Sequence, residues 1–328
     1  MLAPANHDDV MPSSPTIRDV VIVGSGPAGY TAAIYAARAG LDTVVVEGSS
    51  LGGALRTAGN VENYPGFAVP VPGPSLVAAM RGQARRFGGQ LRSGDVDSFD
   101  LRDDVKTIAL QDTRLHARCV ILAMGSVSRQ LDVPGERELM GRGVGTNAKR
   151  DGAEFAGRDV AVVGGGDAAA EEALFLATVA RNVWLIHSRR RPRASGASAA
   201  RLRALENVTI LNTARVLRVL GDDHVTGLRV ENMITGTAHT LAVDGVFIAI
   251  GQHPCSNALK KSVDVDARGF VTTRPGTTHT SVDGVFAAGD LIDRRYRQAI
   301  TAAASGCAAA LDAQRWLATT ETVAVQYF

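Results

Sequence analysis

The hydrophobic pattern near the start of the chain predicts a buried strand, a tight turn and a helix. Residues Val20–Val23 form a continuous apolar run, which is typical of a parallel strand covered on both faces. Gly24, Gly26 and Gly29 follow with the spacing G-x-G-x-x-G, and residues 30–39 then predict a helix. Glycines at these places permit a tight turn and a close approach of the backbone to a pyrophosphate, whose charge the helix N-terminus stabilises.

A second apolar strand, Thr43–Val46, completes this unit and ends at an acidic residue. Glu47 lies 23 residues after Gly24, where dinucleotide-binding folds place the acceptor for a ribose hydroxyl. A glycine-rich turn alone is weak evidence for such a site. Because strand, turn, helix, strand and acid occur together in the expected order, the segment predicts a dinucleotide site.

The same pattern recurs 140 residues later, measured from Gly24 to Gly164, and predicts a second dinucleotide site. The second strand of this repeat ends at His187, again 23 residues after the first glycine of the turn. The repeat begins with a strand at Asp159–Val163 and a G-x-G-x-x-A turn formed by Gly164, Gly166 and Ala169. A helix over residues 168–180 and a strand over residues 183–186 follow.

The residues that follow the second repeat differ in charge from Glu47 in the first. They read His187-Ser188-Arg189-Arg190-Arg191-Pro192-Arg193 and contain no acid. Arginines at this place favour NADPH over NADH, because they form charge-assisted hydrogen bonds with a 2′-phosphate. For any single arginine a solvated basic loop is the alternative, and His187 is also compatible with a strand end that binds nothing.

Three further apolar runs predict how the chain divides into domains. They end at Gly125, at Gly251 and at Gly289-Asp290, and a helix is predicted after the last of them, over residues 297–317. Alternating buried strands and helices indicate an α/β fold. We therefore predict two Rossmann-like dinucleotide-binding domains, the second inserted into the first. The predicted limits are a disordered lead-in over residues 1–15, a discontinuous first domain over 16–126 plus 252–328, and a second domain over 127–251.

Composition and charge exclude several other classes of protein. A chain of 328 residues agrees with two domains at roughly 150 residues each. The net charge of +2 favours neither nucleic acid nor a membrane surface as a partner, so we expect neither. No apolar run reaches the ~20 residues that a membrane span needs. Since residues 1–15 lack the apolar segment of a secretory signal, we expect a cytoplasmic protein.

The three cysteines, Cys119, Cys255 and Cys307, form no C-x-x-C pair and show no metal-ligand spacing. Cys119 lies in an apolar strand and Cys307 in an alanine-rich helix, where free cysteine behaves as a small buried hydrophobic residue. Cys255 follows Pro254 in a predicted loop, and its reactivity is left open.

Beyond the two glycine-rich turns, the chain carries short motifs in a fixed order. They are Gly24-Ser25-Gly26-Pro27-Ala28-Gly29, Gly52-Gly53, Val61-Glu62-Asn63-Tyr64-Pro65-Gly66-Phe67, Gly164-Gly165-Gly166-Asp167, Gly251-Gln252-His253-Pro254, and Ala287-Ala288-Gly289-Asp290 followed by Arg297-Gln298-Ala299. Together they resemble the motifs of the low-molecular-weight thioredoxin reductases over residues 18–317. The resemblance implies FAD in the first domain, NADPH in the second, a homodimer, and domains that rotate so that the flavin meets either the nicotinamide or a redox cysteine pair.

The resemblance also assigns residues to both cofactors. Glu47 would accept a hydrogen bond from the adenosine ribose of FAD and Asp290 from a ribityl hydroxyl, while Asn63 and Gln298 would lie near the flavin. The set implied for FAD is Gly24, Gly26, Pro27, Ala28, Gly29, Glu47, Gly53, Asn63, Gly125, Asp290, Arg297, Gln298 and Ala299. The set implied for NADPH is Gly164, Gly166, Asp167, Ala168, His187, Ser188, Arg189 and Arg193, and no metal is implied.

The chain departs from the family at the redox motif. The family's C-A-T-C-D-G falls on Asn147-Ala148-Lys149-Arg150-Asp151-Gly152, so neither redox cysteine is present. Thiol–disulfide exchange needs a thiolate, whereas hydride transfer to a flavin needs both cofactors in the right geometry. We therefore expect an NAD(P)H-dependent FAD oxidoreductase that passes electrons to an external acceptor. The candidate acceptors are a ferredoxin or flavodoxin, a quinone, dioxygen and a small molecule. The alternative is a non-catalytic dinucleotide-binding protein that keeps the reductase fold.

Other positions of this comparison leave alternatives open. Lys149 and Arg150 would lie close to the flavin ring, where a cation stabilises reduced flavin or holds an anion, but drift to solvated polar residues is equally compatible. Asp151 is an acid in the family and a possible turn-former here. Ser188 replaces one phosphate-binding arginine, which weakens the case for NADPH, and compensation by Arg190 or Arg191 is the alternative. The Tyr327-Phe328 tail either stacks on the flavin, as an aromatic residue does in cysteine-free relatives, or is an ordinary frayed terminus.

Overall fold

The apolar run Val20–Val23 lies at the centre of a seven-stranded sheet. The computed structural model describes residues 16–194 and 196–326, except for the side chains of Thr57 and of residues 321–326. The seven strands are β1 (Ile17–Val23), β2 (Thr43–Val46), β5 (Gln90–Arg92), β6 (Val96–Asp100), β7 (Lys106–Leu110), β8 (Thr113–Leu122) and β19 (Val285–Ala287). Their order is β5-β2-β1-β8-β7-β6, and β19 pairs with β8.

The strands that carry the first glycine-rich turn are parallel. β1 pairs in parallel with β2 and with β8, and β19 pairs in parallel with β8. β6 and β7 extend the sheet in antiparallel fashion. Because the carboxyl ends of parallel strands meet at one edge, the residues after β1, β2, β8 and β19 are brought together there.

Three helices cover one face of this sheet, namely α1 (Pro27–Arg38), α2 (Gly73–Arg86) and α6 (Ala299–Gln326). Their apolar side chains share one core cluster with those of β1 and β8. α1 and α6 cross in backbone contact, since a Cβ atom on Gly306 would lie 2.1 Å from the carbonyl oxygen of Ala28. Only glycine permits this crossing.

The second repeat builds a separate five-stranded parallel sheet. Its strands are β10 (Val144–Gly145), β11 (Asp159–Val163), β12 (Asn182–Ile186), β13 (Val208–Leu211) and β17 (Gly245–Ile248), in the order β10-β17-β11-β12-β13. One face packs against α4 (Asp167–Leu176) and α5 (Gly196–Arg203). The other face packs against an antiparallel sheet of β14 (Ala214–Leu220), β15 (Gly227–Asn232) and β16 (Ala238–Leu241).

Each of the two large sheets, together with the elements packed on it, forms one lobe of the protein, and two short strands join the two lobes. The chain leaves the first lobe through β9 (Ser126–Ser128) and returns through β18 (Gln252–Pro254), and the two pair in antiparallel fashion. The remaining elements are β3 (Asn60–Val61), β4 (Val71–Pro72) and the four-residue α3 (Ala148–Asp151). The expected fold class, an α/β fold with the second dinucleotide-binding unit inserted into the first, is confirmed.

The core clusters follow the same division. Those of the first lobe draw on residues 20–123 and 259–317, and those of the second on residues 139–248. The exact domain limits remain a prediction. The predicted lead-in, residues 1–15, and the Tyr327-Phe328 tail lie outside the described residues. Of the helices in the described part, none combines the length and apolar character of a membrane span.

Some predicted boundaries are wrong. The helix predicted from Arg297 begins at Ala299, because Arg297 adopts a φ of 49°, which is incompatible with a right-handed helix. The run over residues 281–290 forms a strand only at Val285–Ala287. α1 begins three residues before the predicted position, at Pro27, which suits the first turn of a helix.

Candidate functional site

Two glycines of the first turn are required by the packing of the chain on itself. Gly24 has a φ of +119°, and a Cβ atom there would lie 2.2 Å from the carbonyl oxygen of Ala123. A Cβ atom on Gly29 would lie 1.9 Å from the carbonyl oxygen of Gly24. These contacts bring the turn against the end of β8, so both positions have a structural role that is independent of any ligand.

Gly26 differs from its neighbours because no protein atom lies within 4 Å of a Cβ atom built on it. Its φ of −77° is accessible to any residue. It is the N-cap of α1 and no side chain caps the helix, so the first N–H groups of α1 are free to bind a ligand. Packing therefore does not explain the glycine, whereas a phosphate on the helix N-terminus does.

A cleft of about 970 Å³ opens in front of this turn. Its walls come from both lobes. From the first lobe they include Gly24, Gly26, Pro27, Ala28, Glu47, Gly53, Asn63, Gly125, Asp290, Arg297, Gln298 and Ala299, and from the second Asn147, Arg150, Asp151, Glu154, Phe155 and Phe247. Asn63 and Gln298 are hydrogen-bonded to each other, Nδ2 to Oε1, at 3.2 Å. Of the thirteen residues expected at the first site, all but Gly29 line the cleft.

Asp290 supplies an acceptor on this cleft. Burial raises its pKa to about 6, neighbouring Asp293 adds to the rise, and Arg297 opposes it. The charged form of a buried carboxyl group is stabilised when a ligand donates a hydrogen bond to it. The position therefore suits a ligand hydroxyl.

Glu47, at the end of β2, is already bound on both oxygens. Its side chain is 1% exposed. Arg81 donates Nε to Oε1 at 2.7 Å and an Nη to Oε2 at 2.9 Å, and the Tyr30 hydroxyl donates to Oε1 at 2.7 Å. Burial opposes ionisation of Glu47, but these hydrogen bonds outweigh burial and hold its pKa below the usual value. A ribose hydroxyl would therefore donate a hydrogen bond to a carboxylate that Arg81 and Tyr30 already hold in position.

Arg81 was not predicted as a site residue. Its replacement tests whether the ion pair with Glu47 stabilises the fold. We expect Arg81→Ala to lower the free energy of unfolding by about 2 kcal/mol at pH 7, because an unpaired carboxylate would remain buried. Since the pKa of Glu47 is depressed, this loss should be present above the ordinary pKa of glutamate and should vanish as the pH falls through the depressed value. Urea unfolding at pH 7 and pH 3.5 measures it. Equal losses at both pH values would contradict this interpretation. Arg86→Ala is the control, because Arg86 is exposed on the same helix and is not among the groups that shift the pKa of Glu47.

The second glycine-rich turn repeats the geometry of the first. Gly164 has a φ of +153°, and a Cβ atom there would lie 2.4 Å from the carbonyl oxygen of Ala249. Gly166 is the N-cap of α4, has no side-chain cap and has open space around a Cβ atom. Asp167 and Ala168 form the first turn of that helix. One glycine is again required by packing, and the other leaves room for a ligand.

His187 ends β12 beneath this turn. It is 4% exposed, and neither ring nitrogen has a hydrogen-bond partner among the described residues. Burial lowers its pKa, and the Asn212 side chain, which approaches the ring without hydrogen-bond geometry, opposes the change, so the ring is neutral at pH 7. A Cβ atom on Gly165 would approach His187 Cβ to 3.2 Å. A buried polar ring without a partner at the predicted ribose position fits a site that a nucleotide completes.

The residues after His187 form a basic surface. The backbone N–H of Arg193 donates to the carbonyl oxygen of Gly165 at 2.5 Å, which ties this loop to the turn. A pocket of about 420 Å³ beside the loop is lined by Arg190, Arg191, Pro192, Arg203, Val208, Ile210 and Asn212. Ser188 and Arg189 continue the chain from His187 into the same loop. The surroundings are positively charged even though Ser188 is neutral.

Comparison with known proteins identifies the family. The family of pyridine nucleotide-disulphide oxidoreductases matches residues 18–306. Thioredoxin reductase of Mycolicibacterium smegmatis is 53% identical over 308 residues, which cover 94% of this chain and 99% of that protein. The bifunctional thioredoxin reductase/thioredoxin of Mycobacterium leprae is 54% identical over 304 residues, which cover 92% of this chain and 66% of that protein. This chain belongs to the thioredoxin reductase family.

Solved structures of thioredoxin reductases agree with the fold. The enzyme of Streptococcus pyogenes superimposes with a TM-score of 0.86 at 35% identity, covering 93% of this chain and 100% of its own. That of Giardia duodenalis gives 0.84 at 38% identity, covering 92% and 99%. The Lactococcus lactis enzyme in its FR conformation covers the same shares, 92% and 99%, but gives only 0.67 at 33% identity.

Thioredoxin reductases use FAD and NADPH, and the two turns of this chain fit two dinucleotides. Each turn has an open glycine at an uncapped helix N-terminus, which suits a pyrophosphate. An acid follows the first turn and a basic loop follows the second. These features agree with FAD at the first turn and NADPH at the second, although the assignment of individual residues remains a prediction.

Residues 147–152, where the resemblance predicted the family's redox motif, include α3 and contribute to the wall of the cleft. Asn147 caps this helix, since its Oδ1 accepts the N–H of Arg150 at 3.1 Å. The Arg150 guanidinium forms two hydrogen bonds with Asp151, at 2.5 and 2.6 Å. Lys149 pairs instead with Glu171 at 3.4 Å and is absent from the described lining of the cleft. Of the two cations expected near the flavin, only Arg150 lines the cleft, and its charge is balanced by Asp151.

The cysteines of this thioredoxin reductase homologue are all free. Cys119 is buried, and burial raises the pKa of its thiol to about 12. Cys255 lines the cleft, and burial raises its pKa as well. Both thiols are therefore poorly ionised at neutral pH, which disfavours their use as nucleophiles. No cluster of potential metal ligands occurs in the described part of the chain.

Proposed function

We propose that this chain is an NADPH-dependent FAD oxidoreductase that has no dithiol of its own and delivers electrons to an external acceptor. The observation that carries this proposal is the composition of α3. The wall of the cleft where the family places its redox pair presents Asn147, Arg150 and Asp151 and no thiol. Both glycine-rich turns keep their open positions.

The residues of the first lobe have distinct tasks under this proposal. The N-terminus of α1 and the open space at Gly26 hold a pyrophosphate, and Asp290 accepts a hydrogen bond from a hydroxyl of the same ligand. Asn63 and Gln298, which hydrogen-bond to each other, form the edge of the cleft. Bound FAD would take up a hydride from NADPH and pass the electrons on singly or as a pair.

The second lobe must move for this chemistry. Of the residues described as lining the cleft, none belongs to the second turn, Gly164–Gly166. A nicotinamide held by that turn is therefore not presented to the cleft in this arrangement. The paired strands β9 and β18, which are the two connections between the lobes, are the natural hinge.

The α3 wall indicates what kind of acceptor to expect. Because Arg150 is paired with Asp151, the wall offers little net positive charge to an anion. Phe155 and Phe247 pack edge to face beside it, with ring centroids 5.4 Å apart. These features favour an uncharged acceptor such as dioxygen or a quinone over an anionic small molecule.

Anaerobic mixing of the FAD-loaded protein with NADPH tests the proposal. We expect the flavin absorbance to bleach with NADPH and to return when air or a quinone is admitted, whereas oxidised thioredoxin should not restore it. A protein that binds both nucleotides without bleaching would instead be the non-catalytic alternative. We also propose a cytoplasmic homodimer, as thioredoxin reductases are generally homodimers, and light scattering after size exclusion checks its mass.

Restoring the cysteine pair should restore the activity that this wall lacks. Asn147 and Arg150 are one helical turn apart, which is compatible with the Cα separation of about 4.4–6.8 Å that a disulfide spans. We expect the double variant Asn147→Cys with Arg150→Cys to reduce a disulfide such as that of thioredoxin at least about tenfold faster than the native protein, because it gains an attacking thiolate.

Each single cysteine variant is the control for this experiment, since one thiol cannot form the internal disulfide. The number of titratable thiols in the oxidised double variant shows whether the pair has formed. If the disulfide forms and NADPH reduces the flavin but not the disulfide, α3 is not the place where electrons leave the flavin.

A further inference from the structure

The pocket of about 420 Å³ beside the second glycine-rich turn is lined by arginines that the resemblance did not assign to NADPH. They are Arg190 and Arg191, from the loop after β12, and Arg203, the last residue of α5. The resemblance implies Ser188, Arg189 and Arg193 instead, and none of these three is among the described residues that line the pocket. The arginines at the pocket are therefore different from those of the motif.

Backbone hydrogen bonds explain why the middle of the loop forms the wall of the pocket. At the start of the loop, the N–H of Thr213 donates to the carbonyl oxygen of Arg189 at 2.9 Å. At its end, the N–H of Arg193 donates to the carbonyl oxygen of Gly165 at 2.5 Å. Both ends are thus held by other elements, and residues 190–192 between them lie along the pocket.

The pocket adjoins the second glycine-rich turn on two sides. Pro192, which lines it, precedes Arg193, whose N–H is bonded to the turn. Asn212, which lines it at the end of β13, approaches the buried ring of His187, whose nitrogens have no partner among the described residues. A nucleotide whose ribose lies at His187 would therefore place the groups attached to that ribose beside this pocket.

The charge of the pocket is not balanced by acids of the protein. Arg150 and Arg181, in the same lobe, are each paired with an aspartate, at 2.5 and 2.7 Å. No described carboxylate forms an ion pair with Arg190, Arg191 or Arg203. A phosphate would reduce the repulsion between these cations and would accept charge-assisted hydrogen bonds from their guanidinium groups.

The rest of the lining suits a purine ring. Val208 and Ile210 are alternate residues of β13, so they lie on the same face of the strand, and both are half-buried. Pro192 adds apolar surface from the loop. Ligand sites commonly combine apolar side chains with a few polar groups that fix the orientation of the ligand. Apolar surface beside three cations is what a phosphorylated adenosine requires.

We propose that Arg203, together with Arg190 and Arg191, binds the 2′-phosphate of NADPH and thereby selects NADPH over NADH. This rests on the proposed function only in that the second turn binds NADPH. Arg203 is the residue to test, because it is fixed on a helix and does not depend on the conformation of the loop. It offsets the loss of a basic residue at Ser188 from outside the motif.

Isothermal titration calorimetry of the FAD-loaded protein tests the proposal, with adenosine 2′,5′-bisphosphate and adenosine 5′-monophosphate as the two probes. We expect the native protein to bind the bisphosphate at least about tenfold more tightly, because only this probe carries a 2′-phosphate. Arg203→Gln should lose at least about tenfold in affinity for the bisphosphate and should bind the monophosphate as the native protein does.

Arg201→Gln is the matched control. Arg201 is exposed on the same helix, two residues from Arg203, and is not among the residues that line the pocket. Residues two apart on a helix do not face the same side, so this variant should bind both probes as the native protein does. Arg189→Gln tests the motif, and it should lose less affinity for the bisphosphate than Arg203→Gln.

Three results would overturn the proposal. They are a native protein that binds the bisphosphate no more tightly than the monophosphate, an Arg203→Gln variant that binds the bisphosphate as the native protein does, and a larger loss in Arg189→Gln than in Arg203→Gln. Flavin bleaching gives a second readout: in Arg203→Gln the half-saturating concentration should rise at least about tenfold for NADPH and stay unchanged for NADH. A native protein that neither nucleotide bleaches would contradict the proposed function, whereas calorimetry would still decide the role of Arg203.

Discussion

Gly26→Val should give a folded protein that no longer retains FAD. The φ of −77° and ψ of −176° at Gly26 are accessible to valine, and a Cβ atom there meets no protein atom within 4 Å. The added side chain would instead occupy the space in front of the N-terminus of α1, where a pyrophosphate must come close to the backbone. We expect the affinity for FAD to fall by at least about a hundredfold, which corresponds to about 2.7 kcal/mol. The ratio of flavin to protein absorbance after purification measures the loss.

Two other glycine substitutions separate this effect from damage to the fold. Gly24→Ala places a Cβ atom 2.2 Å from a backbone oxygen at a φ of +119°, so it should lower the melting temperature as well as the flavin content. Gly82→Ala adds a methyl group at an open, exposed position inside α2, so it should leave the flavin content unchanged and should not lower the melting temperature. If Gly26→Val retained a full complement of FAD, or if it melted as early as Gly24→Ala, the assignment of this turn to the flavin nucleotide would be wrong.

The fold could be predicted from the sequence because its central features are local. A buried parallel strand, a glycine-rich turn and a helix N-terminus lie within about a dozen residues of each other, at Val20–Val23 and again at Asp159–Val163. Since the motif occurs twice, the parallel strands of both large sheets were predictable. The three-stranded sheet over residues 214–241 was not, because its strands face a partner sheet and carry no chemical motif.

The side-chain partners of the site were predicted less well. Arg81 reaches Glu47 across 34 residues of sequence, and no local pattern on α2 marks it as a partner for that acid. Lys149 and Arg150 are adjacent in sequence, yet one turns to Glu171 and the other to Asp151. Their directions depend on how α3 packs on α4, which is a property of the tertiary structure.

The side chains on which the proposed function depends lie on one wall of the cleft, at α3. Residues that position backbone, such as Gly24, Gly164 and Gly306, are required by atoms of the chain itself and cannot change without loss of the fold. Asn147 and Arg150 instead form a local cap and a local ion pair, which hold α3 in place without a disulfide. Under the proposed function, the fold needs no redox pair at this place, because a side-chain cap and an ion pair hold α3.

Gly166→Val should abolish reduction of the flavin by NADPH while leaving FAD bound. Gly166 has a φ of −98° and a ψ of 179°, a Cβ atom there would meet no protein atom within 4 Å, and the residue begins α4 without a side-chain cap. Valine would fill the space in front of that helix N-terminus and would exclude the nucleotide. The buried ring of His187 beside the turn would then lack the hydrogen-bond partner that we expect the nucleotide to supply. We expect the rate of bleaching at low NADPH concentration to fall at least about a hundredfold.

Chemical reduction with dithionite provides the control, because it needs no nucleotide site and should reduce the flavin of Gly166→Val as it does that of the native protein. Gly196→Ala, at an open and exposed position in the same lobe, should leave bleaching by NADPH unchanged. If Gly166→Val were reduced by NADPH at the native rate, the second turn would not be the source of the hydride. The glycine at position 166 would then have no explanation in the structure, because packing requires glycine at position 164 but not at position 166.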